Sequence, residues 1–340
     1  MTIERKLLGT SPSGGATDVA EVFSTYLYTG NSGTNVINNG IDLAGEGGMV
    51  WFKCRNVTNN HYIVDTERGA SKLLYGLGTA AETTSTNSVT SFNSNGFTLG
   101  ADGTDGINKN TRSQVSWTFR KKKKFFDVVT YTGNGASSRA ISHGLDGPVG
   151  MMVVKRTSAT EDWTVWHKDL TGTSPFISLN STGGASTAEA IWTSTEPTST
   201  AFTVGSHDRV NTSGHTYVAY LWADSSSEDA EEQMIKCGSY TGNSSALQDI
   251  NLGWEPQFLL VKNASASTGW YMWDSMRGWL GGANNGDGHP MYANQASAEF
   301  NDDDVGLLSN GFQVADVLNT NTNSYIYMAI RAPMMKEPEA

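Results

Sequence analysis

Tyr28-Thr29-Gly30-Asn31 recurs as Tyr131-Thr132-Gly133-Asn134 and as Tyr240-Thr241-Gly242-Asn243, at offsets of 103 and 109 residues. A repeated tetrapeptide is weak evidence alone, but four further anchors keep its phase. An apolar run ending in lysine appears as Met49-Val50-Trp51-Phe52-Lys53, Met152-Val153-Val154-Lys155 and Leu259-Leu260-Val261-Lys262. Twelve residues past each lysine a polar residue closes a second run: Asp65, His167 and Asp274. Phe97, Phe202 and Phe312 then open short β-like stretches. Alternating runs ending at Phe119, Trp222 and Ile330 complete the copies. Five anchors in one order, three times over, establish an internal triplication.

Each unit of about 105 residues reads as strands separated by turns. VFSTYLYTG (from Val22), MVWFKCR (from Met49), HYIVDT (from His61) and QVSWTFR (from Gln114) are β-branched, aromatic and alternating. Asn38-Asn39-Gly40, Asn95-Gly96, Asn284-Asn285-Gly286 and Asn310-Gly311 supply turn chemistry between such runs. Apolar residues never recur at helical spacing over any length. The best helical stretch is the acidic Ser226 to Gln233. The expected fold class is all-β: three tandem antiparallel β-sandwich domains of jelly-roll type. The boundaries read as an N-terminal arm at 1–20 and units at 21–122, 123–230 and 231–340. Both joins, the basic Arg120 to Lys124 and the acidic Ala223 to Gln233, are too short for flexible tethers. Three bodies packed in a row are therefore expected, with Met334 to Ala340 as a fraying end.

Composition narrows the function. With 34 acidic against 23 basic side chains the net charge is −11, which disfavours nucleic acid and anionic lipid as partners. No stretch approaches the roughly 20 apolar residues of a membrane span, so no membrane insertion is expected. MTIERKLLGTSPSGG at the start lacks the apolar core of a secretory signal. Cys54 and Cys237 show neither metal nor disulfide spacing and read as free thiols of a reducing compartment. There is no HExxH, G-x-S-x-G or phosphate loop, and the six histidines occupy no matching repeat positions. An enzyme is not expected, and no catalytic residue is assigned.

Several constellations carry a functional and a structural reading. Lys53, Lys155 and Lys262 pair with Asp65, His167 and Asp274 either as three equivalent sites or as cross-strand supports. Histidine in the middle unit favours support. In Asp65-Thr66-Glu67-Arg68-Gly69 and Asp274-Ser275-Met276-Arg277-Gly278 the arginine binds an anionic ligand or ties down its own turn. Tryptophans concentrate in the second and third units; Trp163 or Trp166, and Trp270 or Trp273, belong to the core by alternation. Trp192, Trp254 and Trp279, with Arg277, are the ligand-binding candidates, the last two tryptophans being flanked by glycine as surface platforms would be. No cofactor is required, but calcium is a candidate at Asp302, Asp303 and Asp304, and less so in the loop Asp102 to Asn108. Lys121 to Lys124 either binds a polyanion or solubilises a join.

The order VFSTYLYTGN, NNGIDLAGEGGMVWFK, DTERG, TSFNSNGFTLG, VSWTFRK, FFDVVTYTGNG resembles the repeated domains of virion proteins from marine tailed bacteriophages, cyanophages among them. The leader IERKLLGTSPSGGA resembles the start of such chains, and the likeness covers nearly the whole sequence. It implies concanavalin A-like, lectin-type sandwiches and a tail-fibre or other virion structural role. It carries no catalytic residues. The third unit departs by closing on AIRAPMMK. The implied partners are other virion proteins, copies of the chain and a host-surface glycan, in a virion assembled in the bacterial cytoplasm. The alternative is a capsid decoration or cement protein without a host ligand.

Overall fold

The computed structural model describes residues 18–76, 78–101, 106–284 and 288–333. The arm before residue 18, the tail beyond 333 and the Asp102 to Asp105 part of the first acidic loop lie outside them. The described chain is all-β, with antiparallel sheets organised into three regions, each built of two packed sheets. In the first unit the large sheet runs Phe23–Thr29, Ser113–Arg120, Gly48–Cys54, His61–Asp65, Lys72–Tyr75, Thr83–Thr84. Asn35–Asn38, Gly96–Leu99 and Val89–Asn93 form the small one. The same order recurs in the other two large sheets, in full in the second unit and, among the described residues, without the last short strand in the third. In the middle unit the helix Glu189–Trp192 stands where the outer units have the third strand of the small sheet. The acidic helical candidate reduces to one 3-10 turn, Ser225–Ser227.

Every residue of Gly48–Cys54, His61–Asp65, Trp163–His167 and Trp270–Asp274 is buried, so these strands are covered on both faces. One face meets the unit's own small sheet: Val50, Phe52, Tyr62 and Val64 pack on Ile37, Phe97 and Leu99. The other meets the neighbouring units. Phe119 lies 5.7 Å from Trp222 and 6.2 Å from Phe258, and Trp117 lies 6.2 Å from Phe258, ring centre to ring centre. A single apolar cluster therefore draws on all three units. Burying a large aromatic contributes roughly 2–3 kcal/mol, so this shared layer outweighs any single polar contact.

Backbone bonds at equivalent positions join the units in a cycle. Asn59 N–H donates to Ala296 O (2.8 Å), Glu161 N–H to Thr79 O (2.8 Å) and Thr268 N–H to Thr182 O (2.9 Å). In return Glu299 N–H donates to Arg55 O, Glu82 N–H to Thr157 O and Ala185 N–H to Ala264 O, at 3.0, 2.8 and 2.7 Å. The first unit grips the third, the second the first, and the third the second. This corrects the expected row: the units close a pseudo-threefold ring, because three two-sided sheets leave no apolar face over only when each covers the next.

The repeated tetrapeptide explains itself locally. Tyr28, Tyr131 and Tyr240 donate their hydroxyls to Ile107 O, Val210 O and Leu318 O. The Asn31, Asn134 and Asn243 N–H groups donate to the side-chain oxygens of Asn108, Asn211 and Asn319, at 3.1, 3.0 and 2.9 Å. Asn108, at the end of the first acidic loop, thus belongs to this lock. Immediately before the asparagine only glycine fits, since a Cβ at Gly30, Gly133 or Gly242 would stand 2.2, 2.2 or 2.1 Å from a backbone oxygen.

Excising one unit strips its second apolar face. Residues 21–122 alone are expected to self-associate or to give a molten, dye-binding state, read by light scattering and near-UV circular dichroism. A folded, monomeric fragment would refute the shared layer.

Candidate functional site

The polar groups singled out by the repeats converge on the seams of the ring. Lys53 stands opposite His61, and Asp65 opposite Met49, so lysine and aspartate occupy opposite ends of one hairpin. The expected cross-strand pair does not form. Lys53 Nζ donates instead to Asn59 O (2.6 Å) and, across the seam, to Ala296 O (2.8 Å). Lys155 reaches Thr79 O (3.1 Å) and Lys262 reaches Thr182 O (3.0 Å). All three are buried, and burial pushes each ammonium down to about 8. They staple units together through main-chain carbonyls. His61, Trp163 and Trp270, opposite the lysines, repeat the pattern with ring nitrogens on Tyr292 O, Tyr75 O and Ser178 O.

At the other end of the hairpin the buried aspartates are held from both sides. Asp274 accepts from Arg277 Nε at 2.6 Å, from Arg277 N–H at 3.0 Å and from Trp117 Nε1 of the first unit at 2.9 Å. Asp65 accepts from Arg68 Nε at 2.6 Å and from Tyr220 of the second unit at 2.7 Å. The glycine after each arginine, Gly69 at φ +100° and Gly278 at φ +93°, lets the turn close in the left-handed region. At the seam between the second and third units three residues change together. His167 replaces aspartate, Leu170 replaces arginine, and the facing position carries Met328, which has no proton to donate. His167 Nε2 bonds Tyr327 O directly at 3.1 Å. The histidine therefore belongs to a changed seam. Trp117 and Tyr220 went unrecognised in the sequence as partners; the joint loss of arginine and aromatic donor opposite histidine was the available signal.

The ligand-binding candidates are corrected in placement. Trp254 (5% exposed) donates to Gln233 Oε1, and Trp279 (1%) to Val305 O; neither is a surface platform, and the flanking Gly253 (φ +88°) and Gly278 (φ +93°) serve left-handed turns. Trp192 is buried beside a small cleft of about 70 Å³ shared with Trp166 and Ser174. Both members of each tryptophan pair, Trp163 with Trp166 and Trp270 with Trp273, are buried because their strands have no solvent face. Arg277 is buried and donates to Met272 O and His289 O besides Asp274, the turn-tying role. Asp302, Asp303 and Asp304 do cluster, with carboxylate oxygens within 4.8 Å of one another. Burial first, then Asp302 and Asp316, push Asp304 up to about 7. That oxygen set has the hard-ligand chemistry of a calcium site.

No helix among the described residues is long and apolar enough to cross a membrane. A family model described as a domain of unknown function (DUF7483) matches residues 18–333, spanning all three units at once. No curated protein matches the chain.

Arg277→Leu alone strands a buried carboxylate and is expected to cost about 3–5 kcal/mol. Copying the whole set from the seam between the second and third units, Asp274→His with Arg277→Leu and Trp117→Met, is expected to recover most of that loss in thermal melts; a triple variant weaker than the single would show that the two sets are not interchangeable.

Burial holds His167 down at about 4, so between pH 6.5 and 4 the folded chain binds fewer protons than the unfolded one. Stability from this group is complete above that window and falls as pH drops through it. The advantage of the wild type over His167→Leu in denaturant titrations is expected to shrink by about 3 kcal/mol across it; a constant difference would count against the assignment.

Proposed function

The chain belongs to the DUF7483 family, and we propose that it is a structural protein of a bacteriophage virion, seated where three-fold-related neighbours meet. The observation that supports this reading is the ring: one chain presents three similar two-sheet units around a common apolar centre. Such a body offers each of three surrounding subunits a related surface while remaining a monomer. We read the units as jelly-roll, lectin-like sandwiches, in keeping with the resemblance of the repeat motifs to phage virion domains. No catalysis is assigned. The free, buried Cys54 and Cys237 suit assembly in a reducing bacterial cytoplasm.

Of the two virion placements, the geometry favours capsid decoration over a receptor-binding tail appendage. The appendage reading rested on tryptophan platforms in the second and third units, and Trp192, Trp254 and Trp279 are buried. A cementing role needs only the ring and its outer loops. Cryo-electron microscopy of assembled particles, with the chain fused to a small density tag, tests the assignment. Tag density on local three-fold positions of the shell is the expected result. Density at the tail tip would restore the appendage reading, and a particle without the chain would remove the virion role.

A further inference from the structure

The basic run Lys121 to Lys124 is only partly absorbed by the fold. It lies in a tight turn closed by Lys122 N–H on Phe126 O (2.9 Å) and Phe126 N–H on Lys122 O (3.0 Å), with Lys124 left-handed at φ +60°. The turn lines a cleft of about 680 Å³ between the first and second units, together with Glu46, Ser142 and the buried His143. The cleft is largely open to solvent, so a ligand would lie across it with one side exposed, and its extent exceeds that of a bare ion.

Charge in the cleft is unevenly committed. Asp127 is spent: it accepts from Val128 N–H and Gly144 N–H at 2.9 and 2.6 Å and pairs with Lys121 at 3.3 Å. Lys121 is further held by Glu67 at 2.8 Å. Lys123 pairs with Asp146, but those side chains are 72% and 54% exposed, and such a pair contributes little in water. Lys122 has no ion-pair partner among the described residues. Two ammonium groups thus stand ready for an anion. The exposed Glu46 carboxylate would repel a simple anion, yet accepts hydrogen bonds from hydroxyl groups. The second join carries the opposite signs, Asp224 at the position of Lys121 and Lys236 at that of Asp127, so this charge pattern occurs at one joint.

We propose that the cleft binds an acidic saccharide. Lys122 and Lys123 take its carboxylate or sulfate group, while Glu46 and Ser142 receive its hydroxyls. Binding to a single copy is weak and salt-sensitive, because the whole chain carries −11 and the lysines face solvent. Many copies on one particle would raise the effective strength. The proposal goes beyond the virion reading and stands independently of where the chain sits on a particle.

Isothermal titration of the full chain with trigalacturonate, with neutral galactotriose and with sodium sulfate tests it. Saturable binding of the acidic trimer alone is expected, at least tenfold weaker in Lys122→Glu/Lys123→Glu with an unchanged melting temperature. The charge-neutral pair Lys122→Gln/Lys123→Gln is expected to lose the same binding and serves if the reversal fails to fold. Equal binding of galactotriose, equal binding by the neutral variant, or no saturation would overturn the site. Sulfate displacing the trimer at equal concentration would overturn its saccharide chemistry.

Discussion

The structure depends on sheets that are apolar on both sides. A lone sandwich hides one face of each sheet and leaves the other wet, so its outer face must be polar. Here Trp51, Trp117, Phe119, Tyr220, Phe258 and Met328 line the faces turned away from the units' own small sheets. Only other units can cover them. Three is the number the sequence supplies, and the cyclic order of seam bonds follows from every unit offering the same donor edge and the same acceptor edge.

Polar chemistry at the seams follows from that burial. An ammonium or carboxylate taken out of water needs partners, and each one here finds them across a seam or in the adjacent turn. The lysines settle on carbonyls of the next unit, and the aspartates settle between an arginine of their own turn and a ring donor of a neighbour. Seam polarity thus orients the units about the axis, while the aromatic layer supplies the stabilisation. That division explains why residues with the outward marks of ligand chemistry, such as Arg277, are buried in the scaffold.

Much of this was legible in the sequence. The triplication, the all-β class and the short joins follow from anchors such as Tyr28-Thr29-Gly30-Asn31 and from turn residues. Burial on both faces was written in Met49-Val50-Trp51-Phe52 and Leu259-Leu260-Val261, which are continuous apolar runs. Read as alternation, they concealed the ring. Partners across a seam stayed out of reach for a different reason: Trp117 and Asp274 are 157 positions apart, and nothing local to either records the other. Trp254 and Trp279 misled because Gly253 and Gly278 serve left-handed turns beside buried rings, not exposed platforms.

Fusion into one polypeptide has a consequence for how such a body can vary. In an assembly of identical subunits every seam is a copy of the others, so a change at one junction is imposed on all. Here the junction around His167 carries imidazole, leucine and methionine, while its two counterparts keep carboxylate, guanidinium and an aromatic donor. Genetic linkage releases the symmetry-related corners from one another. Each can be retuned separately, and an asymmetric feature at one corner need not be duplicated at the rest.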